Sequence, residues 1–291
     1  MPLPPASQFQ FTPDMRICRL LNGMWQVSGA HGRIDPQAAL QNMFDYLDAG
    51  FTTWDLADHY GPAEDFIGEF RQQLAAVRGA DALANIQAFT KWVPRPGPMT
   101  RPIVEHNIAI SLRRMGVDTL DLLQFHWWDY EDSAYLDALT HLSQLRDAGK
   151  LKHLALTNFD TAHVQTITEH GIRVVSNQVQ YSLIDLRPEV RMVPFCQEQN
   201  IALPACSRLD DRKKSGLCQA LEAQYMRGEV PLSALTPFMP ASSSSSSVSG
   251  VSSSTVAPFV GPLIQPSVTC TSLRSARERA QCRVHARSKK K

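Results

Sequence analysis

The alternation of short apolar runs with longer amphipathic segments, between residues 19 and 205, constrains the fold of this chain more than any other feature. Seven runs have the length and composition of β-strands, and the segments between them are long enough for helices. The strands are predicted at Arg19–Val27, Phe51–Asp55, Asn85–Lys91, Thr119–His126, Leu151–Thr157, Val174–Gln180 and Ile201–Ala205. Strands separated by helices pair in parallel, so the pattern predicts an α/β fold.

The segments between the strands carry helix signals. Asp35 followed by Pro36 is typical of a helix N-terminus. The apolar residues that follow recur at helical spacing and form one stripe, made of Leu40, Met43, Phe44 and Leu47. Further helices are predicted near residues 63–77, 101–115, 136–149, 161–170 and 189–199.

Seven strand–helix units are more than a common doubly wound sheet contains. Their number suits a (β/α)8 barrel of the TIM type that is incomplete by about one unit. The rival is a doubly wound dinucleotide-binding fold. That fold requires a Gly-x-Gly-x-x-Gly fingerprint after a strand, and neither this motif nor a phosphate-binding loop of the Walker type occurs in the sequence.

The alternation ends after residue 207. An uninterrupted serine run (Ser242–Ser247) follows, and the last stretch, residues 274–291, holds eight Lys or Arg and one Glu. Such composition buries too little apolar surface to offset chain entropy, so we predict a disordered tail with a solvated basic arm and no nucleic-acid partner. The predicted organisation is an N-terminal extension (1–15), a barrel (16–207) and a divergent tail (208–291).

Composition favours a cytoplasmic protein with a real core. Hydrophobic residues make up 43% of the chain and charged residues 20%, with a net charge of +1. The six cysteines are scattered, without Cys-x-x-Cys pairs or histidines at zinc spacing, which favours reduced thiols and no metal site. We recognise no secretory signal and no membrane-spanning run, and expect no membrane partner.

Polar side chains recur where the predicted strands end, and in a parallel barrel these ends open into one mouth. The residues there are Asp55, Tyr60, Lys91 and His126. Each alone has an ordinary explanation as a helix cap, a rim tyrosine, a solvated lysine or a core histidine. Their occurrence together at the ends of successive strands favours a shared catalytic site.

The four side chains form a coherent proton donor. A phenol with a pKa of about 10 is a poor acid at neutral pH unless its anion is stabilised. Lys91 supplies that stabilisation for Tyr60, Asp55 keeps Lys91 charged, and His126 orients a carbonyl oxygen. The hydride of a reduction must come from a cofactor, because no side chain supplies one.

Other residues at the strand ends suit the binding of ligands. Asn158 and Gln178 are suited to hold a carboxamide such as that of nicotinamide, through paired donor and acceptor contacts. Trp25, Trp92 and Trp127 are candidates for the walls of an apolar substrate pocket, and ordinary packing is an equally good explanation for them.

These motifs resemble those of the aldo-keto reductases. The segment from Asp55 to Gly61 resembles the family signature in which the catalytic Asp and Tyr are five residues apart. Lys91 and His126 lie in segments similar to those that carry the family's lysine and histidine. Two further segments, Thr157–Phe159 and Asn177–Gln178, resemble those that hold the nicotinamide amide.

The resemblance implies NAD(P)H-dependent reduction of a small aldehyde or ketone, with NADP(H) favoured over NAD(H) and Tyr60 as the general acid. It implies a cofactor site made of Met24, Trp25, Asp55, Thr157, Asn158 and Gln178.

The sequence departs from the family pattern towards its C-terminal end. Cys206 stands where the family has a tyrosine that stacks on the nicotinamide ring, and the pattern is lost from Arg208 onwards. An eighth strand and the segment that binds the adenosine phosphate are not recognised. We therefore expect weakened cofactor binding. A catalytically inactive, truncated member with at most a binding role is the alternative, and a channel regulatory subunit is a third that no sequence feature favours.

Overall fold

The computed structural model describes residues 5–29, 32, 34–182, 185–206 and 263–265. An antiparallel hairpin precedes one parallel sheet of eight strands, which lie side by side in chain order. The hairpin consists of β1 (Gln8–Thr12) and β2 (Met15–Cys18). The sheet consists of β3 (Asn22–Gly23), β4 (Thr53–Asp55), β5 (Gln87–Trp92), β6 (Leu120–Phe125), β7 (Leu151–Thr157), β8 (Asn177–Gln180), β9 (Pro204–Cys206) and β10 (Leu263–Gln265).

Helices connect most of these strands, as the predicted βα units require. They are α1 (Pro36–Asp48), α2 (Ala63–Arg78), α3 (Arg101–Met115), α4 (Ala134–Asp147), α5 (Thr161–Glu169) and α6 (Met192–Glu198). The carboxylate of Asp35 accepts hydrogen bonds from the backbone N–H groups of Gln37 and Ala38, which confirms the predicted cap of α1.

Several predicted elements differ from the structure, and two strands begin three residues later than predicted, at Asn177 and at Pro204. The first apolar run forms only the two-residue strand β3, because the chain then turns into a 3-10 helix at Trp25–Ser28. The helix predicted at 189–199 is divided into a 3-10 turn at Arg187–Val190 and α6. Pro194 lies in the first turn of α6, where backbone N–H groups have no partner within the helix, so its missing N–H is tolerated there. A proline is not tolerated further inside a helix, which explains why α6 begins at Met192 and not at residue 189.

The sheet is an open barrel, as the sequence predicts. Its outer strands are β3 and β10, and they do not pair with each other in the part of the chain that the structure describes. Beyond the seven predicted strands, the three-residue strand β10 pairs in parallel with β9. Sequence reasoning missed β10 because its three residues stand between Pro262 and Pro266, too short a run to show a period. The rest of the predicted tail lies outside the described residues.

The two faces of the sheet pack against different partners, because successive side chains of a strand point to opposite faces. Ala88 and Trp92 of β5 belong to the large core between sheet and helices. Phe89 belongs to a second, smaller core on the inner face of the sheet. Lys91 has the same parity as Phe89, so it lies on the inner face at the carboxyl end of β5.

The hairpin closes the opposite end of that inner face. Phe11, Met15 and Ile17 pack against inner-face residues of the sheet, and the rings of Phe11 and Phe89 lie 5.6 Å apart. The predicted boundary between residues 15 and 16 falls inside this hairpin. The polar residues at the carboxyl ends of the strands are therefore left at the other end of the inner face, which forms the mouth. No helix within the described ranges is long and apolar enough to cross a membrane.

Candidate active site

The centre of the site is the carboxylate of Asp55, which closes β4 and is only 4% exposed. Its Oδ2 atom lies 2.5 Å from Nζ of Lys91 on β5. Its Oδ1 atom accepts hydrogen bonds from Nε2 of Gln124 at 2.7 Å and from Nε2 of Gln178 at 3.3 Å. Side chains from three other strands therefore converge on one buried carboxylate.

Lys91 is buried and remains charged. Nζ also donates to the carbonyl oxygen of Leu56 at 3.1 Å and lies 5.3 Å from the centre of the Tyr60 ring. Burial lowers the pKa of the Lys91 ammonium, but the Asp55 carboxylate, the Tyr60 phenol and the Cys206 thiol together raise it above its ordinary value. The structure thus holds a fixed positive charge beside the phenol ring.

Tyr60 lies in the loop between β4 and α2, where aromatic rings surround it. Trp25 packs edge-on against its ring with 5.0 Å between centroids, and His59 packs against it at 4.9 Å. The carboxylate of Asp58 contacts Nδ1 of His59 at 2.8 Å and accepts from the backbone N–H of Val93 at 3.1 Å. The loop is therefore tied to the end of β5.

His126 directly follows β6 and extends its pairing, because its backbone N–H donates to the carbonyl of Trp92 at 3.0 Å. Burial, followed by the nearby charge of His59, lowers the pKa of His126 below 6.5, so the imidazole is neutral at pH 7. Its Nδ1 is buried and finds no hydrogen-bond partner among the described residues. A neutral imidazole has one donor and one acceptor nitrogen, and the donor can form a hydrogen bond to a carbonyl oxygen.

Besides Asp55 and Trp25, four residues are predicted to bind the cofactor, and they differ in their surroundings. The backbone N–H of Asn158 donates to the carbonyl of Gln178 at 2.8 Å, and Asn158 is exposed with a left-handed backbone, φ 63°. The two residues are therefore neighbours along the backbone, and the side chain of Gln178 reaches Asp55. Met24 is buried in the helix-side core, away from the mouth. Thr157 lies on the same face of β7 as the inner-face residue Ala155, and its hydroxyl donates to the carbonyl oxygen of Gln178 at 3.2 Å.

The tryptophans divide according to the face on which they lie. Trp25 is half-buried at the mouth, whereas Trp92 and Trp127 are buried in the helix-side core, and the Trp127 indole N–H donates to the carbonyl of Asp132 at 2.9 Å. The burial of Trp92 and Trp127 does not support their predicted place in the wall of a substrate pocket. Trp128, which was not predicted, is 62% exposed and packs on His126 with 4.5 Å between ring centroids.

Gln124 is a residue of the site that was not predicted from the sequence. It is 1% exposed and lies on the inner face two residues before His126. The signal was present in the sequence, because the strand Leu120–Phe125 carries one amide, and it has the same parity as the histidine.

Cys206 closes β9 and is half-buried. Its thiol is near enough to Lys91 to raise the pKa of that ammonium, so it belongs to the same end of the sheet. Across the described segments, no group of His, Cys, Asp and Glu is arranged to hold a metal ion.

Comparison with protein families matches residues 19–215 to the aldo/keto reductase family. An NADH-specific methylglyoxal reductase of Escherichia coli is 22% identical over 225 residues, which cover 70% of this chain and 68% of the relative. A second methylglyoxal reductase of E. coli is 28% identical over 215 residues, with 72% and 70% covered. The L-glyceraldehyde 3-phosphate reductase of E. coli is 25% identical over 184 residues, with 59% and 51% covered.

Solved structures show the same fold. An aldo-keto reductase of Bombyx mori in complex with NADP aligns with a TM-score of 0.62 and 21% identity, covering 75% of this chain and 76% of that one. A holo aldo-keto reductase of Bacillus halodurans aligns with a TM-score of 0.57 and 22% identity, and the match covers 68% of this chain and 65% of that one. The family match spans most of the sheet that carries Asp55, Tyr60, Lys91 and His126, and the chain belongs to the aldo/keto reductase family.

Proposed function

We propose that the protein reduces a small aldehyde or ketone to an alcohol with NAD(P)H, and that Tyr60 is the general acid. The observation that carries this proposal is the buried pair of Asp55 and Lys91, whose ammonium lies 5.3 Å from the centre of the Tyr60 ring. Burying a charged pair costs free energy, so its presence beside a phenol points to a functional role. The ammonium is placed to lower the pKa of the phenol.

Each side chain has a distinct role in the proposed reaction. Tyr60 donates its proton to the carbonyl oxygen of the substrate as negative charge develops there. Lys91 stabilises the resulting phenolate, and Asp55 fixes the ammonium in position. Neutral His126 donates a hydrogen bond to the same carbonyl oxygen and orients it.

The cofactor, when bound, supplies the hydride that adds to the carbonyl carbon. Asn158 and Gln178 are neighbours through a backbone hydrogen bond, and their side-chain amides supply the donors and acceptors that a carboxamide group requires. Asn158 has a left-handed backbone, which asparagine adopts more readily than most residues, and its side chain is exposed.

The names of the relatives support small carbonyl substrates, such as methylglyoxal and glyceraldehyde 3-phosphate. We include NADP(H) rather than NAD(H) in the proposal. Both cofactors occur among the similar proteins, since one relative is named NADH-specific and one similar structure contains NADP. A cytoplasmic location is also part of it, supported by the scattered cysteines.

The test is the loss of NADPH absorbance with methylglyoxal or an aromatic aldehyde, compared between wild type and Tyr60→Phe. The variant should lose nearly all activity while binding NADPH normally. Tyr46→Phe, on the outer helix α1, is the matched control and should keep its rate. Equal rates of wild type and Tyr60→Phe would refute the role of Tyr60.

The alternative is a non-catalytic family member that at most binds a partner. The replacement of the expected tyrosine by Cys206 favours it, because an aromatic support for the nicotinamide ring is missing. Titration of the protein with NADPH and with NADH, followed by tryptophan fluorescence, separates the two functions. Saturable quenching at micromolar concentration supports the reductase, and no quenching with either cofactor supports the alternative.

A further inference from the structure

We propose that Arg114, on α3, is a positioning residue that holds the Tyr60 loop (residues 58–61) in its catalytic conformation. The inference rests on the proposed function, since it assigns to Arg114 the placement of the general acid. Arg114 lies on the helix side of the sheet, and its contacts are with the backbone of the loop and with carboxylates, not with the Tyr60 phenol.

The guanidinium of Arg114 binds the backbone on both sides of Tyr60. Nη1 donates to the carbonyl oxygen of Asp58 at 3.1 Å, and Nη2 donates to that of Gly61 at 2.5 Å. One rigid, planar group therefore fixes two carbonyls that bracket the proposed acid. Lysine does not reproduce this contact, because its ammonium is a point charge without the fork of donors.

A buried carboxylate fixes the guanidinium in turn. Glu64 is completely buried, and its Oε2 lies 3.0 Å from Nη1 of Arg114. The other oxygen, Oε1, accepts from the hydroxyl of Thr90 at 2.7 Å. Thr90 immediately precedes Lys91 on β5. The network therefore joins the Tyr60 loop to the strand that carries its lysine, from behind the sheet.

The backbone of Arg114 is held as closely as its side chain. A Cβ atom at Gly68 of α2 would lie 2.3 Å from the carbonyl oxygen of Arg114, so only glycine permits this approach of the two helices. Gly61 is equally constrained, because its φ is 55° and a Cβ there would lie 3.0 Å from the carbonyl oxygen of Ser28. The Tyr60 loop is thus packed between Ser28 and α3.

An exposed ion pair completes the set without reaching the loop. Asp65 contacts Nη2 of Arg114 at 2.8 Å and is more than half exposed, whereas the Arg114 side chain is 22% exposed. Exposed pairs contribute little. We assign the positioning role to the two backbone carbonyls and to Glu64, and we expect Asp65→Asn to leave turnover almost unchanged.

The experiment compares four variants in the full chain. Arg114→Gln removes the contact, and Arg114→Lys keeps only the charge. The double variant Glu64→Gln with Arg114→Gln removes the contact without leaving a buried charge unpaired, so it is suited to fold where the single variant does not. Arg113→Gln is the control, since Arg113 is the exposed neighbour of the same charge.

Two measurements are made on each variant. The first is kcat and KM for the carbonyl substrate at saturating NADPH, together with the Kd for NADPH. The second is hydrogen exchange of the peptide that covers residues 56–62, followed by mass spectrometry. Exchange reports the order of the Tyr60 loop whether or not the enzyme turns over.

We expect kcat to fall roughly tenfold to a hundredfold in Arg114→Gln and in the double variant, since small misplacements of a catalytic group have effects of that size. In these two variants KM and Kd should change less than about twofold, and exchange of the loop peptide should be faster. Arg114→Lys should recover only part of kcat, and Arg113→Gln should match wild type.

Wild-type kcat or unchanged loop exchange in the folded double variant would overturn the inference and leave the proposed function standing. If the wild-type protein shows no turnover that depends on Tyr60, the proposed function is overturned. The role of Arg114 in positioning a general acid is then overturned as well. Loop exchange would then still show whether Arg114 holds the loop.

Discussion

Gln124 and Asp55 are joined by a hydrogen bond of 2.7 Å between an amide and a carboxylate that are both almost completely buried. The two residues come from strands separated by β5, so the bond passes across the inner face at the level of Lys91. The carboxylate is thereby held from one side by an amide and from the other by an ammonium. Lys91 owes its position to both contacts.

Replacing Gln124 with Met should destabilise the protein by about 1–3 kcal/mol, the typical effect of leaving a buried acceptor short of one donor. Turnover should fall about tenfold, because Asp55 and Lys91 gain freedom to move. Urea unfolding and kcat are the measurements. Gln72→Met, at an exposed position of α2, is the matched control. Unchanged stability and kcat in Gln124→Met would show that the amide is dispensable.

Removing Lys91 alone should be more harmful to stability than removing the whole pair. Lys91→Met leaves the buried Asp55 carboxylate without its cation, which costs about 3–5 kcal/mol. Combining it with Asp55→Asn removes the unpaired charge and should restore much of the free energy of unfolding, while both variants stay inactive. Urea denaturation of the two proteins tests this order. A double variant no more stable than Lys91→Met would contradict it.

His126 should make the protein less stable in mild acid. Burial lowers the pKa of His126 in the folded state below its unfolded value of 6.5. The unfolded state therefore binds more protons as the pH falls below 6.5, and the contribution of His126 to stability is lost through that window. Urea midpoints at several pH values should show a shallower loss for His126→Gln than for wild type. Parallel curves would show that His126 titrates normally.

Gly68→Ala should destabilise the protein by about 1–3 kcal/mol, the usual effect of overpacking. The added Cβ would lie 2.3 Å from the carbonyl oxygen of Arg114, and a backbone atom does not rotate away as a side chain does. Gly23→Ala is the control, because a Cβ at Gly23 meets only the side-chain oxygen of Gln26 at 4.0 Å. Thermal unfolding of the two variants decides, and equal melting temperatures would argue against a tight contact between α2 and α3.

Cys206→Tyr should strengthen NAD(P)H binding. The thiol lies at the end of β9 near Lys91, and an aromatic ring at this place would offer a stacking surface to the nicotinamide. A stacking contact of about 1 kcal/mol corresponds to roughly fivefold in Kd. Fluorescence titration of Cys206→Tyr against Cys206→Ala measures the gain. Equal Kd values would show that position 206 does not face the ring.

Much of the fold follows from local sequence. The strand at Leu151–Thr157 and the helix at Arg101–Met115 have the bounds that periodicity predicts, because apolar spacing and turn residues agree there. The hairpin was not predicted, since the partners of β1 and β2 on the inner face come from strands far along the chain. Pairing of β10 with β9 is equally non-local.

The site was predictable where chemistry depends on strand parity and less so elsewhere. Asp55 and Lys91 were expected together and lie 2.5 Å apart. The same parity places Trp92 on the helix side, away from Lys91, so its burial was readable from the sequence. The contact of Gln178 with Asp55 depends on how the sheet curves, which no local pattern specifies.

The hairpin has a consequence for the order in which the chain acquires its structure. Phe11 and Ile17 pack against Phe89, Leu122 and Ala202, which are spread over most of the described sequence. Translation therefore produces this hairpin before any of its partners exist, and contacts of such separation are slow to form. The apolar side chains of the hairpin therefore remain exposed to solvent after synthesis until the strands of the sheet against which they pack have formed.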